Sequence, residues 1–487
     1  MKLIYQVEDK PKFGQLVVFA LQQLLAIMTA TLVVPVIING GVDQAIADGK
    51  IAWEFTERMS PAAALFGAGV GTLIYLLCTK RKSPVFLGSS FAFLGSMASA
   101  FSGAATMALG YMGLIFGAVI AGLVYVVIAV IVKFCGSDWV SKLMPAVVIG
   151  PTVAIIGLSL AGNAVGDLTS GPEPKYALLC GLVTLIVTML SSVYGKKIGK
   201  LIPFIFGILA GYVFALILTW NGYFFGLDEL KLVDLDGIVE GLIGPDKQFT
   251  IKTIFADPDF TFLSAKGAFE SMDFAYFMTV LVAYMPVAFV VFAEHIADHM
   301  NISSIIERDL LKDPGLHRTL LGDGVGSMVG AVFGGCPNTT YGESIGCVAI
   351  TKNASVVSII AAAIGAIIIS FLTPFIVFVN SIPSCVMGGV CMALYGFIAV
   401  SGLKMIQKVD LNKNKNLFVV SVILIAGVGG LSVSFGKVTI TEVACALILG
   451  IITNLLLKNA KEDDEEPGNK IPELEPVEEV QVVKEEQ

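Results

Sequence analysis

Charged side chains are scarce in this chain of 487 residues, where Asp, Glu, Lys and Arg account for only 14% and hydrophobic residues for 56%. The mean hydropathy of +0.84 lies far above that of an ordinary soluble protein. A water-soluble domain is therefore excluded, because most of the chain needs lipid as its solvent. We expect a multi-pass protein of the cytoplasmic (inner) cell membrane, with the lipid bilayer as a partner.

Cysteine motifs and a basic surface are also lacking. The eight cysteines between Cys78 and Cys445 form no CxxC spacing and no pair in the long polar loops, which leaves neither a metal signature nor a disulfide framework. We expect no bound metal and no cofactor. The net charge is −8, with the acids mainly in 228–273 and after Lys458, so we expect no nucleic-acid partner.

Long apolar runs, in contrast, are abundant. A bilayer core needs about 20 apolar residues per helix, and twelve runs approach or exceed that length. They are 14–40, 61–78, 106–134, 143–162, 176–193, 201–220, 274–297, 320–335, 355–380, 382–403, 417–434 and 438–457. Two further stretches, 85–103 and 341–351, are broken by Gly, Ser and Thr. Counting both gives fourteen predicted transmembrane segments.

Lys and Arg fall on alternate connections between these segments. The positive-inside rule then places those loops and both termini in the cytoplasm. The start, MKLIYQVEDKPKFG, is polar and mixed in charge, so we expect no cleaved signal peptide. The acidic tail at 459–487 has too few apolar residues to form a core, and we expect it to be disordered.

The two broken stretches are the third and the tenth segments, which are seven segments apart. A second pair of similar sequences, PAVVIG from Pro145 and PSCVMG from Pro383, opens segments five and twelve. Matching broken segments in two halves are typical of secondary transporters, in which they form the binding site. We therefore predict an all-α fold of two inverted seven-segment repeats. Small residues can also serve close helix packing alone.

Ionisable residues inside apolar segments are costly and indicate function. The end of segment eight carries Glu294, His295, Asp298 and His299, and segment ten carries Glu343. Glu294 and Asp298 are four residues apart and share a helical face. Alternatively, Asp298 and His299 lie solvated at the cytoplasmic end of their helix.

Glu343 follows a glycine in an extended stretch and is expected to begin a half-helix, whose amides favour a polar or anionic group. The carboxylates of Glu294 and Glu343 can accept N–H bonds, and free amides near Phe91 and Gly342 can donate to carbonyls. A planar imide-like base presents that alternation. Buried carboxylates tend to hold a proton, so H+ is the expected coupling ion. Na+ is an alternative, with oxygens from Asp298, Thr339 and Thr340.

Several long motifs are similar to those of the nucleobase/ascorbate transporter family, and most of all to its bacterial uracil permeases. They are LQQLLAIMTATLVVPV from Leu21, SPVFLGSSFAF from Ser83, AEHIADH from Ala293, DLLKDPGLHR from Asp309 and PNTTYGESIGCVAITK from Pro337. The resemblance implies proton symport of a nucleobase, often by a homodimer, and short antiparallel strands in segments three and ten.

The resemblance also implies two domains around a cytoplasmic N-terminus at 1–13. A core domain would comprise segments one to four (14–134) and eight to eleven (274–380). A gate domain would comprise segments five to seven (135–220) and twelve to fourteen (381–458). An extracytoplasmic loop at 221–273 would connect the halves. We also expect the small residues Gly150, Gly157, Gly388 and Gly389 to let the core and gate surfaces slide.

Residue roles are carried over from the family position by position. The substrate-binding carboxylates fall on Glu294 and Glu343, and the backbone contacts on Phe91 and Gly342. Other positions match residues that line or face the pocket, namely Ala30, Ser90, Tyr341 and Tyr395. Proton coupling is expected from Glu294, His295 and Asp298.

The chain departs from the family pattern at three places. It has Gln22-Gln23 where Gln-His is usual, and Ser344 where an Asn follows the segment-ten acid. Asp298 stands where some uracil permeases have a proton-linked histidine. The serine weakens the prediction of substrate, because the family's amide helps to hold the site.

Three other functions compete with uracil transport. A xanthine or urate transporter of the same family more often carries Gln at the position of Glu343, so this acid favours a pyrimidine. An anion transporter on the same fold would need net positive charge at its site, and the two acids argue against it. An enzyme would need a nucleophile–base pair or metal ligands, for which only 294–299 offers candidates, so we expect no enzyme.

Overall fold

The computed structural model describes residues 3–136, 139, 145–243, 251–435 and 438–458. The expected disorder of 459–487 lies outside these residues. Up to the central loop, the chain forms nine helices and one strand. They are α1 (Phe13–Ala47), α2 (Pro61–Cys78), β1 (Leu87–Ser89), α3 (Leu94–Ser102), α4 (Met107–Cys135), α5 (Ala146–Ser159), α6 (Ala161–Leu168), α7 (Pro174–Tyr194), α8 (Lys197–Leu201) and α9 (Pro203–Phe225) in the described residues.

The central loop contributes two short helices, and the second half of the chain contributes eight helices and three strands within the described ranges. In order they are α10 (Leu235–Ile243), α11 (Thr261–Ser264), α12 (Phe274–Ile306), α13 (Leu316–Gly334), β2 (Asn338–Thr340), α14 (Gly342–Thr351), α15 (Val356–Ile369), α16 (Thr373–Asn380), α17 (Ser384–Ile406), α18 (Asn414–Val428), β3 (Val433–Phe435), β4 (Val438–Ile440) and α19 (Glu442–Leu456).

Among the described residues, eight helical spans are long and apolar enough to cross a membrane by length and composition. They are Phe13–Ala47, Pro61–Cys78, Met107–Cys135, Ala146–Leu168, Pro174–Tyr194, Pro203–Phe225, Phe274–Ile306 and Ser384–Ile406. Four further apolar helices are shorter, namely Phe91–Ser102, Val356–Ile369, Asn414–Val428 and Glu442–Leu456. The multi-pass character is clear, whereas the count of fourteen segments stays a prediction.

Local sequence signals explain several helix starts. Ser60, Thr106 and Asp273 precede α2, α4 and α12, and each side-chain oxygen accepts a hydrogen bond from a backbone N–H of the first turn. Such caps satisfy donors that have no partner inside the helix. Pro61 stands at the start of α2, where its missing N–H does no harm.

The structure differs from the predicted segments in two respects. Helix α12 continues to Ile306 instead of ending at residue 297. The predicted segment 355–380 is two helices, because Pro374 at the start of α16 cannot continue a preceding helix. The break is held by the central loop, where the Thr373 amide donates to the Ile254 carbonyl oxygen at 2.9 Å.

Four strands form two antiparallel pairs in the described residues. Strand β1 pairs with β2, with Leu87 opposite Thr340 and Ser89 opposite Asn338, as predicted for the two broken segments. The second pair, β3 with β4, precedes α19 and was not predicted.

The helices pack as two sets. In the first set, α13 packs against α2 and α4, α15 against α1 and α2, and α12 against α3 and α4. In the second set, α17 packs against α5, α6 and α7, α7 against α9, and α18 against α5 and α19. The sets meet where α12 contacts β4, α19 and α5.

Glycine permits the closest of these contacts. A Cβ atom added at Gly71 of α2 would lie 2.7 Å from the Gly326 carbonyl oxygen of α13, and one at Gly122 of α4 would lie 2.6 Å from that of Gly324. These positions exclude any larger residue, because real Cβ atoms do not approach backbone that closely.

The expected sliding role of four other glycines is wrong. Gly150 and Gly157 of α5 face Ile406 and Tyr395 of α17, while Gly388 and Gly389 of α17 face Asp167 and Gly181. All these contacts lie inside the second helix set. Their sequence pattern showed close packing but could not show which helix is the neighbour.

Candidate functional site

A cavity of about 430 Å³ lies between the two helix sets, where the β1–β2 pair meets α12. The second set contributes apolar walls from α5 and α17, including Ile156, Leu394 and Ile398. The cavity also reaches the exposed residues Lys200 and Ser401. It is also lined by seven of the predicted site residues, namely Ser90, Phe91, Glu294, Asp298, Tyr341, Gly342 and Glu343.

The strand pair places two helix starts at this cavity. A 3-10 turn from Phe91 follows β1 and leads into α3, while α14 begins at Gly342 directly after β2. Because the strands are antiparallel, the two helical segments leave the pair at opposite ends. The first N–H groups of a helix have no intrahelical partner, so both starts offer donors and a positive dipole end to the cavity.

Buried hydrogen bonds fix the strand pair. The Thr72 hydroxyl of α2 accepts from the Leu87 amide at 2.9 Å, and the Asn338 side chain donates to the Gly67 carbonyl oxygen at 3.1 Å. The Tyr341 hydroxyl donates to the Ser89 carbonyl oxygen at 2.6 Å. The donors of the site are therefore held by a rigid frame.

Three carboxylates line the cavity. Glu294 and Asp298 project from α12, and Glu343 lies in the first turn of α14. All three side chains are half-buried. The Thr340 hydroxyl donates to Asp298 Oδ2 at 2.8 Å. Among the residues that the structure describes, no side chain forms a hydrogen bond with the carboxylate of Glu294 or Glu343. Those two acids are thus available to accept N–H bonds from a ligand.

His295 does not line the cavity. Its ring lies behind the site with no exposed surface, 2.7 Å from Asp323 Oδ2 through Nδ1 and 3.0 Å from the Thr319 hydroxyl through Nε2. Asp323, in α13, is fully buried and escaped the sequence analysis. The sequence does contain a signal for Asp323, because this acid interrupts the apolar run LLGDGVGSMVG from Leu320.

The alternative that His299 is solvated at a helix end is wrong. Because α12 continues to Ile306, the His299 ring is fully buried and stacks on that of His295 with ring centroids 4.0 Å apart. Its Nε2 lies 2.7 Å from the Tyr75 hydroxyl, which donates in turn to Ser83 Oγ at 2.7 Å. This polar chain braces α12 against α2.

Of the other predicted site residues, one lines the cavity and two do not. Ser90 lines the cavity, and its buried hydroxyl has no partner among the described residues. Tyr395 is 2% exposed and does not itself line the cavity, but its ring packs on that of Phe91 at a centroid distance of 6.1 Å. Ala30 is 1% exposed and lies in the core between α1 and its neighbours rather than on the cavity wall.

Two of the departures from the family pattern contact each other. The Gln23 side chain of α1 donates to the Ser344 hydroxyl, and the same hydroxyl accepts from the Phe86 amide at 3.0 Å. Both side chains are buried. Ser344 therefore ties α14, next to Glu343, to α1 and to Phe86, the residue before β1.

No group of three or more His, Cys, Asp or Glu side chains in the described ranges is arranged to hold a metal ion. The eight cysteines are all free. The groups at the cavity are hydrogen-bonding acids, hydroxyls and amides, and they are suited to binding a neutral polar ligand.

Comparison by sequence finds similar proteins over nearly the whole chain. A family model, Xan_ur_permease, described as the Permease family, matches residues 14–435. The "Uracil permease" of Bacillus caldolyticus is 38% identical over 462 residues, covering 94% of this chain and 95% of that protein. The "Uracil permease" of Escherichia coli (strain K12) is 33% identical over 459 residues, covering 93% of each.

Solved structures are similar in fold. The murine Solute Carrier 26 family member A9 anion transporter in the inward-facing state gives a TM-score of 0.60 at 11% identity, covering 93% of this chain and 69% of that chain. The transmembrane domain of a cyanobacterium bicarbonate transporter, BicA, gives 0.50 at 14% identity, covering 92% and 100%. At these identities the likeness concerns the fold alone.

Proposed function

This chain belongs to the permease family, and we propose that it carries a nucleobase, with uracil as the first candidate, into the cell together with a proton. Relatives at 38% and 33% identity bear the name uracil permease. The chain covers 93–95% of their length, so nearly the whole of each relative has a counterpart here. The protein is accordingly a transporter rather than an enzyme.

One observation carries the proposal of substrate. Two carboxylates to which no side chain bonds in the described ranges, Glu294 and Glu343, share a cavity with the helix starts at Phe91 and Gly342. Uracil offers ring N–H groups to the acids and carbonyl oxygens to the amides. The volume of about 430 Å³ lies in the usual range for small-molecule sites. An anion would meet the negative carboxylates, which disfavours the anion-transporter alternative.

Asp298 is the proposed proton acceptor. It lies one turn from Glu294 on the same face of α12 and accepts the Thr340 hydroxyl bond at the end of β2. A proton on Asp298 would remove its negative charge beside Glu294, the proposed substrate-binding carboxylate. Protonation and substrate binding would therefore be coupled. His295 joins Asp323 behind the site and holds α12 in place in this proposal. The Na+ alternative would use the same Asp298 and Thr340 oxygens.

Transport is proposed to proceed by alternating access. The first helix set, the proposed core domain, carries both acids and both helix starts, and the second set, the proposed gate domain, contributes the apolar walls. Movement of the core against the gate would carry the site across the membrane. Fourteen segments in two inverted repeats, cytoplasmic termini and a homodimer complete the proposal.

The test is uptake by the purified protein in proteoliposomes, with labelled uracil, xanthine, urate, ascorbate and bicarbonate offered separately. We expect uracil accumulation that requires an inward proton gradient and collapses with a protonophore. An imposed Na+ gradient at equal pH is the control for the coupling ion. Accumulation of xanthine or bicarbonate, but not uracil, would overturn the proposed substrate.

A further inference from the structure

A second cavity, of about 510 Å³, lies at the opposite end of the core–gate boundary from Lys200. Helices α1, α3 and α6 line it together with the start of α19. Its polar wall includes Ser99, Asn163, Thr441 and Glu442. The proposed transport function uses none of these residues.

A narrow barrier, bordered also by Thr441 and Glu442, separates the two cavities. The cavity at Glu294 and Glu343 is called the inner cavity, and the second one the outer cavity. Phe91 and Ile156 line the inner cavity, and Leu160 lines the outer cavity. All three residues border a void of only about 20 Å³ between the two cavities. A nucleobase does not fit this void. The outer cavity is therefore closed off from the inner site in this conformation, although both lie along the core–gate boundary.

Thr441 shows that the outer cavity has a polar group in need of a partner. The residue is 6% exposed, and its hydroxyl has no hydrogen-bond partner among the described residues. Thr441 precedes α19, where a hydroxyl ordinarily caps the helix, but it makes no such bond here. A buried hydroxyl without a partner is destabilising, so this position favours a ligand that bonds it.

Glu442 and Asn163 complete the chemistry of the outer cavity. Glu442 lies in the first turn of α19, and its Oε1 stands 4.0 Å from the position that a Cβ would take at Gly95 of α3. The carboxylate thus reaches from the gate side to the core side. The exposed Asn163 amide provides two N–H donors and a carbonyl acceptor.

We propose that the cavity lined by Ser99, Asn163, Thr441 and Glu442 is a second binding site for the nucleobase, occupied before the barrier at Phe91 opens. The proposal rests on the proposed transport of uracil. Glu442 accepts a ring N–H, the Thr441 hydroxyl donates to or accepts from the neighbouring edge, and Asn163 donates to a carbonyl oxygen. The site offers one carboxylate where the inner site offers two, and it binds more weakly for that reason.

Equilibrium binding of labelled uracil to purified protein tests the second site. We expect two classes of site in the parent, one strong and one weak, with two uracil molecules per chain at saturation. Glu343→Gln weakens binding at the strong class about 10- to 150-fold, while the weak class remains unchanged. Adding Glu442→Gln to that variant lowers the affinity of the weak class at least tenfold. Glu54→Gln, which removes an exposed acid in the loop after α1, is the matched control and leaves both classes unchanged.

The outcomes separate this inference from the proposed function. Saturation at one uracil per chain, or a weak class that Glu442→Gln does not affect, overturns the second site and leaves uracil transport intact. Absence of any uracil binding by the folded parent overturns the proposed function itself. Thermal unfolding of each variant shows that the chains compared are folded.

Discussion

Replacing Glu343 by glutamine probes the central feature of the inner site. The carboxylate lies in the first turn of α14 and lines the same cavity as Glu294. Glutamine preserves the size of the side chain but replaces one acceptor oxygen with an NH2 donor. A ring N–H of uracil would then face a donor instead of an acceptor.

The size of the effect follows from the bond that is lost. A hydrogen bond to a charged group contributes about 1.5–3 kcal/mol, which corresponds to a loss of about 10- to 150-fold in affinity. The free energy of unfolding should change little, because no described side chain bonds this carboxylate. The change thus separates binding from stability.

The assay is uracil binding by purified Glu343→Gln, accompanied by its thermal unfolding midpoint. The expected result is a rise in Kd of about 10- to 150-fold with an unfolding midpoint close to that of the parent. Glu54→Gln, with the same chemical change at an exposed position, should bind as the parent does. A Kd equal to that of the parent in folded Glu343→Gln would remove this residue from the site.

Three further predictions concern coupling, movement and packing. Asp298→Asn should abolish uracil accumulation driven by a pH gradient yet retain uracil exchange across the membrane, and uphill uptake at the parent's rate would refute its coupling role. A Cβ added at Gly95 would lie 4.0 Å from Thr441 Cγ2, so a pair of cysteines at these two positions should block uptake when oxidised and restore it on reduction. Full activity of a completely cross-linked sample would mean that these surfaces do not separate. Ser344→Ala should lower the free energy of unfolding by about 1–3 kcal/mol per unpaired donor, because Gln23 loses its buried acceptor; an unchanged midpoint in detergent would argue against that bond.

The long apolar helices and the broken segments were predictable because their signals are local. A run of apolar residues specifies a membrane span wherever it occurs. Gly, Ser and Thr marked 85–103 and 341–351 as broken segments; β1 lies inside the first and β2, at Asn338–Thr340, directly before the second, and the strands themselves were implied by the family resemblance. Glu294 and Glu343 were found for the same reason, since an acid in an apolar stretch is conspicuous without knowledge of its neighbours.

Other predictions failed where a residue's role depends on its partner. Gly388 was expected between the two domains, but it packs against Asp167 inside one helix set. His295 was expected to take part in proton coupling, which stays a prediction, but its bond to Asp323 behind the cavity could not be foreseen from the sequence. A helix pattern gives the spacing of its residues, and it leaves open which face meets which neighbour.

Hydropathy and residue spacing were enough to predict that this protein lies in a membrane, that two segments are broken and that two acids lie in apolar stretches. The bond between the buried side chains of Gln23 and Ser344, 321 residues apart, is visible only in the folded chain. The folded chain also shows that Thr441 and Glu442 border a second cavity. The physical reason is that hydropathy and backbone propensity act over a few neighbouring residues, whereas cavities and buried polar pairs arise where distant segments pack together.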